Sequence, residues 1–363
     1  MFYKLETIQF AYFLIIILVC ISLLDSIVPE IRYVKYIALP LLLIIWFTSE
    51  QRFKIFVKGY TLPFLLLLVS PIYSFYNMTA LGYKDIFFVA SYLAIFLFFH
   101  DIRINIKRVN ILLGALFILN TLIGSEGYFF ISLIGSYSSL ESATFGFIFG
   151  FFAIYWMTKK NYVAFALNSI LLFLSFKRIA FIGLVLVFLI WLLPERIQKI
   201  LVSLPVIISA NIIALILTVL FSQGTFDEFI TNIFDVSANA LSMGRQTLYA
   251  DISYEITSDP ASFFIMGMGL GTTYNFVAEY GAANLHSDML KIFSELGFLV
   301  FIGFIYLLYR VEQPESKLLV IYLNVIFLSD NILIYVSVMF FYFLLLSQNR
   351  IDSNVSSISE EKK

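Results

Sequence analysis

Long apolar runs alternate along this chain with short polar breaks. Stretches such as Phe64–Val69 and Ile182–Leu193 are apolar on every face, without the polar alternation of a barrel strand. About 20 such residues cross a bilayer as a helix. The pattern predicts twelve spans, at 8–28, 34–49, 60–76, 85–100, 109–124, 142–158, 161–176, 179–194, 200–222, 288–309, 318–331 and 332–348. The fold class is therefore an all-α polytopic integral membrane protein. Spans one to nine occupy 1–222 and spans ten to twelve 288–348. A polar segment at 223–287 separates them, and a tail at 349–363 reads as disordered.

Basic residues orient the spans, because positive loops stay cytoplasmic. With the N-terminus inside, each inside segment carries Lys or Arg: Lys4; Arg52, Lys54 and Lys58; Arg103, Lys107 and Arg108; Lys159 and Lys160; Arg196 and Lys199; Arg310 and Lys317; Arg350, Lys362 and Lys363. Both termini are then cytoplasmic. The 223–287 segment lies outside, too long to be a mere connector, with a smaller outside loop at 125–141.

Composition agrees. Of 363 residues, 61% are hydrophobic and 13% charged, against roughly 25% charged in soluble domains. A soluble enzyme, a disordered chain and a nucleic-acid binder are excluded. The net charge of −1 says nothing of partners. The single cysteine, Cys20, permits no internal disulfide or cysteine metal cluster. The N-terminal run lacks an Ala-x-Ala-like site and reads as a retained span. No Walker motif is present, and the inside loops leave no room for a nucleotide-binding domain. Chemistry is expected on the outside face, with a donor already carried across the membrane.

Four groups of residues there could carry it. Ser175-Phe176-Lys177-Arg178 places two cations in a very short outside turn. They could snorkel to lipid headgroups or clamp a phosphate, for which Arg offers a planar fork of donors. Ser242-Met243-Gly244-Arg245 opens a stretch in which Leu248, Tyr249, Ile252 and Ile256 recur at helical spacing. A helix along the membrane surface is expected, with Ser242 as its N-cap and Arg245 in its first turn. Arg245 could equally be an ion-pair partner for Asp227, Glu228, Asp235, Asp251, Glu255 or Asp259. Asp259-Pro260 followed by Gly267-Met268-Gly269-Leu270-Gly271 reads as a tight turn, not a dinucleotide fingerprint. Asn284-Leu285-His286-Ser287-Asp288 sits at the mouth of span ten and leads to Glu295-Leu296-Gly297. His286 can exchange a proton near neutral pH, as a general base must. The other histidine, His100, reads as an interfacial anchor.

The order of these groups over 175–297 resembles the bacterial O-antigen polymerase and O-antigen ligase superfamily. In both, a basic turn precedes a large outside loop that opens on Gly-Arg and closes on a His before Glu-x-Gly. Family sequences often carry Ser-Arg and His-Asn where this chain has Lys177-Arg178 and His286-Ser287. The resemblance implies transfer of a glycan from undecaprenyl pyrophosphate to a hydroxyl at the periplasmic face of the inner membrane, inverting the anomeric centre. The acceptor is the next lipid-linked repeat unit in a polymerase, or lipid A–core in a ligase. His286 is implied as base or orienter. Arg178, Arg245 and Lys177 are implied as pyrophosphate ligands. Glu141 and Tyr137, on the 125–141 loop, are candidate sugar contacts. No cofactor and no metal are implied. The expected partners are the undecaprenyl-pyrophosphate-linked oligosaccharide, membrane lipid and a polysaccharide chain-length regulator, with no nucleic acid.

A polymerase of O-antigen, capsule or exopolysaccharide fits the Phe-, Ile- and Tyr-rich composition best, with ligase as the alternative. A lipid-linked oligosaccharide flippase or other transporter is the non-enzyme reading, against which stand mid-span regions almost free of charge. A transferase using a polyprenyl monophosphate and an early outside carboxylate would rely on Asp25 or Glu30.

Overall fold

The computed structural model describes residues 2–25, 27–38, 40–41, 60–72, 78–99, 102–124, 142–311 and 313–360. The described part is helical, with no strand among the described residues. The helices are α1 (Phe2–Ile21), α2 (Leu62–Val69), α3 (Ala80–Phe99), α4 (Ile106–Gly124), α5 (Ala143–Thr158), α6 (Tyr162–Leu174), α7 (Arg178–Leu192), α8 (Glu195–Leu201) and α9 (Leu204–Ser222). They continue as α10 (Asp227–Phe234), α11 (Ala238–Leu241), α12 (Arg245–Ser258), α13 (Pro260–Ile265), α14 (Thr273–Glu279), α15 (Asp288–Leu308), α16 (Pro314–Phe327) and α17 (Val336–Glu360).

Among the described residues, four segments are long and apolar enough to cross a membrane: Ala80–Leu97, Ile106–Ile123, Leu204–Ser222 and Asp288–Leu308. Shorter apolar helices pack beside them, among them Ala143–Thr158, Tyr162–Leu174 and Arg178–Leu192. Only 11% of the Leu204–Ser222 helix is buried within the protein. On α6, α7 and α9 the outward residues are apolar as well, including Leu167, Phe173, Ile182, Leu189 and Ile213. A water-facing surface would not be so made, and a lipid-facing one would. The chain is an all-α membrane protein.

The packing centres on α5. Its aromatic run is buried on all sides, from Phe145 through Ile154, and it touches α6, α7, α16 and α17. Gly146 and Gly150 make this closeness possible. A Cβ on Gly150 would stand 1.9 Å from the Tyr322 hydroxyl of α16. One on Gly146 would stand 2.5 Å from Ser175 Oγ and 2.8 Å from Lys177 Cβ. Small residues play this part where helices meet in lipid. A polar clasp joins α4, α5 and α6: the Asn110 and Asn168 amides exchange hydrogen bonds of 2.8 Å, and Trp156 Nε1 donates to Asn110 Oδ1 at 2.6 Å.

Several boundaries differ from the sequence expectation. After α1, turns at 22–25 precede a 3-10 helix at Pro29–Ile37, where the second span was expected to begin. Most of that span, 34–49, lies outside the described residues. The last helix runs on to Glu360, through much of the tail read as disordered. Two of its polar residues have partners: Lys159 pairs with Asp352 at 2.8 Å, and Gln313 Nε2 donates to Ser353 Oγ at 3.3 Å.

The segment at 223–287 is folded as short helices, α10 to α14. Tyr249, Ile252 and Ile256 of α12 do share a face, but that face is buried inside the protein, where α12 packs along α9. Ser222 Oγ donates to Ser253 Oγ at 2.6 Å across this contact. The apolar stripe is thus satisfied by protein. Gly244, at φ 84°, is the N-cap of α12 in place of Ser242, whose hydroxyl still accepts from the Gln246 amide at 3.3 Å.

Candidate functional site

The turn after α6 is bent by Phe176, which adopts the left-handed φ of 53° and lets α7 double back at once. Lys177 is the N-cap of α7 and Arg178 its first residue. The turn is pinned against α5 by the Ser142 amide, which donates to Ser175 O at 3.2 Å. Two cations are thereby fixed at one end of the bundle.

His286 ends the long polar segment. It also takes a left-handed φ, 60°, a conformation that costs a non-glycine residue about 1–2 kcal/mol. Surrounding bonds hold it there. The Tyr249 hydroxyl donates to His286 O at 2.9 Å, the Ser287 amide to Asn331 Oδ1 at 3.0 Å, and the Asp288 amide to Asp330 O at 3.2 Å. Ser287 then caps α15 by accepting from the Leu290 amide at 3.2 Å. The entry to α15 is stitched to the turn between α16 and α17.

That turn supplies the residue around which the site is organised. Asp330 is fully buried. Its Oδ2 stands 2.6 Å from Lys177 Nζ, and its Oδ1 stands 3.6 Å from His286 Nδ1. Burial opposes the charge on Asp330, but His286, Lys177 and the Asn331 amide more than offset it and hold the carboxyl down at about 2. One carboxylate thus bridges an ammonium from the α6–α7 turn and an imidazole from the mouth of α15. The His286 side chain remains 39% exposed, so the ring is open to a ligand while one nitrogen faces Asp330.

Arg245 enters through Tyr249, one turn further along α12. Burial pushes the Tyr249 phenol up, Arg245 draws it down, and Asp330 pushes it up again. The guanidinium and the carboxylate are both within electrostatic reach of that hydroxyl. Arg245 is half-buried and Arg178 exposed, and neither guanidinium has a hydrogen-bond or ion-pair partner among the described residues. Arg245 is therefore not the ion-pair partner of the acidic residues around it. Lys177 differs: its ammonium is neither snorkelling nor free, since Asp330 holds it. Glu141 and Tyr137 lie outside the described residues, as does His100.

The glycine run behaves as the tight turn expected. Gly297 breaks α15 with φ 84° and ψ 171°, which frees carbonyls on the turn before it. The Met268 amide donates to Ser294 O at 2.8 Å and the Gly269 amide to Glu295 O at 2.9 Å. A Cβ on Gly267 would stand 2.6 Å from the Glu295 backbone, so this approach requires glycine.

Lys177, Arg245 and His286 are thus tied to one end of the fold through Asp330 and Tyr249. The sequence reading does not single out Asp330 and Asn331, which fall at the end of the expected span 318–331. Their signal was available: a carboxylate and an amide amid the apolar run 318–348. Comparison with protein families, with curated proteins and with solved structures returns no match.

Proposed function

We propose that this protein is a membrane glycosyltransferase that polymerises an envelope polysaccharide. It takes a glycan from undecaprenyl pyrophosphate and joins it to a hydroxyl of the next lipid-linked repeat unit. In this reading twelve spans cross the inner membrane, both termini are cytoplasmic, and His286 faces the periplasm. The observation that carries the proposal is the half-exposed His286 imidazole set against the buried Asp330 carboxylate, with Arg178 and Arg245 lacking an ion-pair partner among the described residues.

The chemistry follows from that arrangement. With Nδ1 turned to Asp330, Nε2 is the nitrogen available to an acceptor hydroxyl. As the hydroxyl oxygen attacks the anomeric carbon, its proton passes to His286 and the carbon–oxygen bond to the pyrophosphate breaks. Asp330 stabilises the imidazolium that forms. The departing undecaprenyl pyrophosphate gains negative charge, which Arg178 and Arg245 meet with donors free to bind it. Attack opposite the leaving group inverts the anomeric centre. Lys177 serves as the counter-ion that keeps Asp330 in place.

Deletion of the gene with complementation tests the proposal. Loss of the polymer ladder to a single repeat unit, unrestored by a normally expressed His286→Ala variant, supports it. Accumulation of long lipid-linked chains that never reach lipid A–core would identify a ligase instead. A full ladder from His286→Ala removes His286 from the reaction.

A further inference from the structure

The helix α9 fixes one boundary of the membrane on this protein. Its 19 residues are about 28 Å long at 1.5 Å per residue, close to the roughly 30 Å of bilayer hydrocarbon. Ile213, Ile216 and Leu217 point outward from it, so lipid surrounds it and Ser222 stands where the hydrocarbon ends. There the chain turns at once. Gly224 takes φ 80°, its amide donates to Phe221 O at 3.1 Å, and the Thr225 amide donates to Leu220 O at 3.1 Å. The next helix, α10, begins at Asp227. Five residues reach at most about 17 Å, so α10 starts beside that boundary.

α10 is two-sided. At helical spacing, Phe229, Ile230, Ile233 and Phe234 share one face, and Asp227, Glu228, Thr231 and Asn232 the other. No residue of α10 is buried, and Phe229, Ile233 and Phe234 are 64%, 56% and 55% exposed. The polar side is the one tied to protein. Gln246 Nε2 of α12 donates to Asp227 Oδ1 at 2.5 Å and to Phe221 O at 3.1 Å, clasping the start of α10 to the end of α9. The apolar side is left open, continuous along the chain with the lipid-facing surface of α9. A contiguous exposed patch of large apolar side chains calls for an occupant. Lipid already covers the helix from which this one turns.

We propose that α10 lies along the bilayer interface, with Phe229, Ile233 and Phe234 seated at the headgroup–acyl boundary of the leaflet in which α9 ends. The membrane-surface role expected of α12 thereby falls to α10. No Lys or Arg occurs at 223–244, so apolar contact and not attraction to anionic headgroups holds the helix there. Through Gln246 the seat also sets the height of the neighbouring Arg245 above the membrane. The placement is independent of glycosyl transfer, and its test reads no transfer.

The test is spin labelling of the full-length protein in vesicles of phosphatidylcholine and phosphatidylglycerol. The one native cysteine, Cys20, is buried and is removed as Cys20→Ala. Labels are placed singly by Glu228→Cys, Phe229→Cys, Thr231→Cys and Ile233→Cys. At 229 and 233, collisions with oxygen should exceed those with a water-soluble nickel chelate, at a depth of about 5–10 Å below the phosphates. At 228 and 231 the order should reverse. One common order at all four positions, or labels at 229 and 233 shielded from both reagents by a protein partner or second copy, overturns the proposal. Should a variant fail to reconstitute, a phosphatidylcholine with a diazirine in its acyl chain reads wild type. Labelling of the 227–234 peptide supports the seat, and labelling of α9 without it overturns the seat.

Discussion

Asp330→Asn tests the organisation of the site most directly. The Asp330 carboxyl falls from its ordinary 3.8 to about 2 in the folded protein. At about 1.36 kcal/mol per tenfold change in acidity, this corresponds to roughly 2 kcal/mol of stability from the ionised group. Because the folded value is the lower one, that contribution is present above pH 3.8 and is lost as pH falls towards 2. Asp330→Asn should therefore cost roughly 2 kcal/mol at pH 7, and about half of that at pH 3. The residue is fully buried, so solvent screening takes little from this figure. Equilibrium unfolding in mixed micelles at the two pH values measures it. Lys177→Met should be at least as costly, since it leaves a buried carboxylate unpaired; removal of one partner of a buried pair costs about 3–5 kcal/mol. The double variant should recover part of the loss. A pH-independent penalty, one below about 0.5 kcal/mol, or additive single variants would refute the ion pair as the organiser of the site.

Further outcomes are expected at neighbouring residues. Tyr249→Phe removes the hydrogen bond to His286 O and should lower stability by about 0.5–1.5 kcal/mol, seen in the same unfolding assay. Arg245→Ala should lower polymer yield through weaker donor binding: in a membrane assay with titrated lipid-linked donor, KM rises, and an unchanged KM would count against the pyrophosphate role. Gly150→Ala drives a methyl into the Tyr322 ring and should cost about 1–3 kcal/mol or more, read as a lowered unfolding midpoint.

Much of the architecture was legible in the hydrophobic pattern. The expected spans at 142–158, 161–176 and 179–194 match α5, α6 and α7 within a few residues, because Ser142, Asn161 and Lys177 stand at their starts. Two of these residues act as N-caps through their side chains, Ser142 to the Phe145 amide and Asn161 to the Ala164 amide. What periodicity could not give was the company each face keeps. The stripe on α12 has the spacing of a membrane-surface helix and of a buried one alike, and only the proximity of α9 decides between them. Candidate cations were visible, but Lys177 and Arg245 differ in role through a partner 153 residues from Lys177 along the chain, Asp330, which no local signal connects to either. The buried pair of Asp85 and Lys291 was hidden for the same reason: each residue alone reads as a helix-end charge.

The break at Gly297 bears on how the chain enters the membrane. The apolar half of α15, residues 297–308, is about 18 Å long at 1.5 Å per residue. That is well short of the roughly 30 Å of hydrocarbon it faces. To span, α15 must carry with it the half that holds Asp288, Lys291 and Glu295. The whole of Asp288–Leu308 is apolar enough to span, but Lys291 in its first half is costly in the bilayer until α3 brings Asp85 to 2.6 Å from it. Biogenesis thereby couples the two helices: a chain lacking Asp85 should insert α15 less efficiently, read as a larger uninserted fraction in a glycosylation-mapping assay.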